Sequence, residues 1–147
     1  MSVASYIEDN KIEREHLIRL TTQLTESQLL RPMPAGWTVA AVLAHLALWD
    51  QRGLVLLEKW AKEGIGPSPI DTDVVNEVTR ILCLAIPPRV AVQLTIDCAV
   101  KMDAAVERLS PQFAADVMEK GKTVHLNRAD HRRTHLSEIE KVLGLSK

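Results

Sequence analysis

The chain of 147 residues carries 18 Lys and Arg against 19 Asp and Glu, a formal net charge of −1, with 46% hydrophobic and 3% aromatic residues. These values describe one globular domain, residues 1–147, built on one core, and exclude a disordered or fibrous chain. They also argue against nucleic acid as a partner, since phosphate tracking needs a clustered basic face. The densest basic run, Arg128 with His131, Arg132 and Arg133, is short and holds Asp130, and Tyr6, Phe113, Trp37, Trp49 and Trp60 are scattered.

Low aromatic and glycine content, with abundant Ala, Leu, Val, Glu and Lys, favours helix, and no stretch alternates with period two as a strand would. The first helix is expected from about Val3 to Leu24, with Ile7, Leu17, Leu20 and Leu24 at helical spacing and Asn10 and Arg14 on the same side. Its charged start, Glu8 to Glu15, is unlike a signal segment. Pro32, Pro34 and Gly36 break the chain, and Thr38 is a good N-cap for a second helix ending near Lys62. The apolar stretch Val39 to Trp49 within it is shorter than the roughly 20 residues of a membrane span, so a cytoplasmic protein with no membrane contact is expected.

Asp71, Thr72 and Asp73 can cap a third segment running to about Ala85, and a further helix begins near Pro88 and runs to Leu109. Ser110 and Pro111 open a loop containing Gly121, and a last helix spans Leu126 to Leu143, closed by Gly144. Four long helices and one shorter one read as an all-α helix bundle. Cys83 and Cys98 fall inside helical patterns and read as small buried hydrophobes.

Five histidines carry the functional argument. His131 and His135 are four apart on the last helix, so their imidazoles share one face and can share a metal ion. His45 lies in the apolar run of the second helix and is expected to be interior. Bundle metal sites use inward side chains of facing helices, so His45, His131 and His135 would supply three neutral nitrogen ligands and leave positions open for water or substrate. His16 falls about 180° around the first helix from Ile7 and is expected to be exposed; His125 is at most a rim residue. His131-Arg-Arg-Thr-His135 lacks the Glu of zinc peptidases, and there is no nucleophile elbow, phosphate loop or C-x-x-C.

Trp37-Thr38 followed by His45, Leu46 and Trp49, together with Asp130-His131-Arg-Arg-Thr-His135-Leu-Ser-Glu-Ile139, resembles the DinB-like proteins over nearly the whole chain. The resemblance implies a four-helix bundle with an up-down-down-up connection, and a zinc or nickel ion held by His45, His131 and His135. It implies hydrolase activity or transfer to a low-molecular-weight thiol such as bacillithiol or mycothiol, as in the mycothiol-dependent maleylpyruvate isomerases, and a homodimer.

Helical geometry adds pocket candidates. Trp49 and Arg52 follow His45 by four and seven positions, and Asn10 and Arg14 could line the same cavity. Glu138 follows His135 by three and could hydrogen-bond a ligand or act as a base; it and Arg52 are the catalytic candidates. The alternative to a metal-dependent enzyme acting on a small molecule is a noncatalytic metal- or ligand-binding bundle, or a dimerisation module.

Overall fold

A computed structural model describes residues 3–145, and among these the chain is all-α apart from one small hairpin. Helix α1 spans Val3–Gln23 and α2 spans Glu26–Leu29. Strands β1 (Pro32–Met33) and β2 (Trp37–Thr38) pair antiparallel, Met33 opposite Trp37, around a 3-10 turn at Pro34–Gly36. Then follow α3 (Val39–Glu63), α4 (Thr72–Ala85), α5 (Pro88–Glu107), α6 (Pro111–Lys120) and α7 (Ala129–Leu143).

Local chemistry explains most boundaries. Thr38 and Asp71 accept hydrogen bonds from Ala41 N and Val74 N and so cap α3 and α4. Gly144 closes α7 in the left-handed conformation, φ 70°, which a side chain would resist.

Three expectations are corrected. α2, fixed by a capping box between Thr25 and Gln28, and the β1–β2 hairpin were not foreseen. Ser110-Pro111 starts α6 rather than a loop: Ser110 Oγ accepts from Phe113 N, and proline occupies the first turn. The last helix begins at Ala129, three residues later than expected, because its cap comes from another helix. Asn10 Oδ1 on α1 accepts from Arg128 N and Ala129 N at 2.7 and 3.0 Å, and Asn10 Nδ2 donates to Leu126 O at 2.9 Å.

α3 is the central element, packed against α4, α5 and α7, while α1 packs against α5 and α7. Bonded pairs give the directions. Asn10 with Ala129, Glu13 with Arg133 and His16 with Glu140 advance together along α1 and α7. Arg14 with Asp103 and Leu24 with Arg89 run oppositely along α1 and α5. Gln51 with Cys98 and Gly53 with Met102 advance together along α3 and α5. At Gly53 the helices touch so closely that a Cβ would stand 2.7 Å from Met102 Cε.

One apolar cluster joins Leu17, Leu43, Leu136 and Ile139 at the β-hairpin end, and a second joins Leu57, Trp60, Met102 and Val117 at the other. Against the short stretch read from sequence, α3 as a whole is long and apolar enough to cross a membrane, although most of it is buried inside the protein. His16 is also corrected: it is buried, with Nδ1 and Nε2 at 3.1 and 3.2 Å from Glu13 and Glu140, because α7 covers that face of α1. Periodicity within α1 cannot register a cover supplied by a distant helix.

Candidate metal centre

His45 projects from the second turn of α3, and His131 and His135 from successive turns at the start of α7. The three rings meet: centroids are 5.1 Å apart for His45 and His131, 4.9 Å for His45 and His135, and 4.8 Å for His131 and His135. One nitrogen from each lies within 4.8 Å of the others, so the three side chains could hold one metal ion. His45 Nε2 and His131 Nε2 are 3.2 Å apart. Two ligands at 2.0–2.1 Å from a tetrahedral zinc stand about 3.3 Å apart, so this spacing fits a shared ion.

The surroundings keep His45 and His131 neutral. Burial, then the neighbouring His135, lowers the pKa of His45 to about 4. Burial lowers that of His131 to about 3, helped by His135, His45, Arg128 and Arg132. Neutral nitrogens with free lone pairs are what a divalent ion requires. Glu138 Oε1 lies 2.8 Å from His135 Nδ1, a contact that places the proton there and frees Nε2. His45 Nδ1 is buried with no hydrogen-bond partner. The donor set therefore fits a divalent ion.

The triad opens on a cavity of ≈ 970 Å³. Trp49, Arg52 and Glu138 line it, together with Trp37 and His125. Trp49 Nε1 donates to Asn76 Oδ1 at 3.2 Å, and Arg52 is half-buried rather than free in solvent.

Asn10 and Arg14 do not line this cavity. Asn10 caps α7, and Arg14 Nη1 bonds Asp103 Oδ2 at 2.6 Å. They belong to a buried ionic cluster that sequence reasoning missed. Arg132, 1% exposed, donates to both Asp103 oxygens at 2.9 and 2.8 Å, to Asp50 Oδ2 at 3.2 Å and to Asn10 O at 3.2 Å. Arg128 Nε donates to Asp50 Oδ1 at 2.9 Å. Burial opposes the charge on Arg132, yet Asp50 and Asp103 outweigh it and raise its pKa. The basic run read from the sequence is thus spent inside the protein, except for Arg133, which pairs with Glu13 and Asp130.

No protein-family model, curated protein or solved structure matches the chain. The triad and its cavity are therefore the features that bear on function.

Proposed function

We propose that the chain is a DinB-like metal-dependent enzyme, a hydrolase or a low-molecular-weight thiol S-transferase, using zinc or nickel held by His45, His131 and His135. The observation that carries the reading is the convergence of three imidazoles from two helices in the lining of a large cavity. The same reading assigns a four-helix bundle of α1, α3, α5 and α7 with up-down-down-up connection, supported by the directions of the bonded pairs described above.

A divalent ion bound there supplies Lewis acidity, which suits hydrolysis and thiol transfer alike. The chain's own residues do the rest. Glu138 holds the His135 tautomer, Trp37 and Trp49 wall the cavity against water, and Arg52 presents positive charge to a small-molecule substrate. The protein is read as a cytoplasmic homodimer; the apolar stripe of Val74, Val78, Ile81 and Leu82 exposed on α4 supports an association surface. Glu138, the carboxylate against His135, has a side chain 50% exposed, which favours as the alternative a noncatalytic metal- or ligand-binding bundle.

Elemental mass spectrometry on untagged protein tests the reading. Wild type should carry about one equivalent of metal and His135→Ala far less. Absence of metal from wild type, even after zinc or nickel is added, overturns it.

A further inference from the structure

On α3, His45, Trp49 and Arg52 stand four and then three positions apart on one face, and all three line the cavity. The Trp49 ring lies 6.4 Å from that of His45, and Arg52 Cζ lies 5.8 Å from the Trp49 ring. The Arg52 guanidinium is anchored by uncharged acceptors. Nη1 donates to Thr123 O at 2.8 Å, and Nη2 reaches Ser68 O, Ser68 Oγ and Thr123 Oγ1 at 3.2, 3.0 and 3.2 Å. Among the described residues no carboxylate pairs with it and its Nε–H has no acceptor, whereas Arg128 on the same cavity is neutralised by Asp50. Neutral anchors fix the direction of the fork without cancelling its charge. Such an oriented, half-buried cation with donors to spare is the arrangement that receives an anion.

We propose that Arg52 is the anion-recognition residue of this cavity and that the ligand is an elongated small carboxylate. Its anionic end sits on Arg52, its middle lies along Trp49, and its far end meets the three histidines. Seven residues of α3 separate the two ends, about 10 Å along the helix axis. The far end rests on the metal-centred reading above; the Arg52 end does not.

The probes are α,ω-dicarboxylates from succinate to sebacate and the monocarboxylate hexanoate, titrated into zinc-supplemented protein and followed by tryptophan fluorescence and calorimetry. Wild type should show an optimum of affinity at one chain length. Arg52→Gln should weaken the best diacid about tenfold or more and leave zinc content unchanged. Arg52→Lys keeps the charge but loses the fork, and should fall between the two; it decides the matter if Arg52→Gln does not fold by circular dichroism. No binding by wild type, affinity independent of length, or full affinity in the Arg52 variants overturns the proposal. Arg52-dependent binding of hexanoate in a protein that takes up no zinc keeps the anion site and removes the metal reading. Zinc uptake without any Arg52 dependence does the reverse.

Discussion

Helix α7 carries two polar clusters on neighbouring faces, and they are built on opposite terms. Toward α1, α3 and α5, Arg132 is enclosed by Asn10, Asp50 and Asp103, with both terminal nitrogens of its guanidinium placed on acceptors. Toward the cavity, His45, His131 and His135 face one another with Glu138 as their hydrogen-bonded carboxylate. In the first cluster opposite charges meet and only Arg132 Nε lacks a partner; in the second the imidazoles chiefly meet one another, His45 Nε2 facing His131 Nε2 at 3.2 Å. Networks of paired opposite charge hold structure, whereas converging imidazole nitrogens make a donor set that could hold a cation. The contrast also explains how the triad keeps its aim. The ionic cluster and the Asn10 cap lock the first turns of α7, from which His131 and His135 project.

Removing one partner from the ionic cluster gives the largest expected effect. Asp103→Ala strips Arg132 and Arg14 of their shared carboxylate and leaves a buried charge underpaired, at a cost of about 3–5 kcal/mol in urea unfolding. His131→Leu in metal-free protein should cost less than about 1 kcal/mol, because its desolvated imidazole has little compensation to lose. Equal costs for the two variants would erase the distinction between the clusters.

The pH dependence of stability comes next. His45 and His131 titrate near 4 and 3 in the folded protein, below the ordinary histidine value of about 6.5 that holds when unfolded. Between those values the unfolded chain binds protons that the folded one refuses. Stability is therefore whole above pH 6.5 and falls as the solution is acidified toward pH 4 and 3. Between pH 7 and pH 5 the loss should be about 4 kcal/mol for the two together. Urea midpoints measured across that range check it; His45→Leu should flatten the slope, and added zinc should oppose the loss by binding the neutral form. A midpoint that does not move between pH 7 and pH 5 refutes it.

What could be read beforehand follows from distance along the chain. Caps such as Thr38, Asp71 and Gly144 act within a few residues, and these ends emerged nearly where they were expected. The histidine triad was legible because two members share a helix face at four-residue spacing and the third sits in an apolar run. Ser110-Pro111 misled because the pair serves equally to end one helix and to begin another, and only Phe113 N shows which. The ionic cluster was hidden by separation: Asp50 lies 82 residues from Arg132, and Asn10 lies 118 from the Arg128 amide it accepts. Arg52 could be placed on the face of His45 by counting, yet its anchors, Ser68 and Thr123, come from loops that helical periodicity does not describe.

The finest division between the clusters runs through Glu138. It lies on the exposed side of α7 and touches His135 Nδ1 at 2.8 Å, so it can influence metal uptake while contributing little to folding. Glu138→Gln keeps a hydrogen-bond acceptor but removes the negative charge that makes His135 a stronger donor to a cation. Metal affinity, read by competition with a chromophoric chelator, should fall about tenfold, and the urea midpoint of metal-free protein should move by less than about 0.5 kcal/mol in free energy. Unchanged affinity would make Glu138 an ordinary surface partner of His135 and leave orientation of the ring to packing alone. A large loss of stability would instead join Glu138 to the structural side of α7, and the division between a charge-paired cluster and a receptive one would then fail at its boundary.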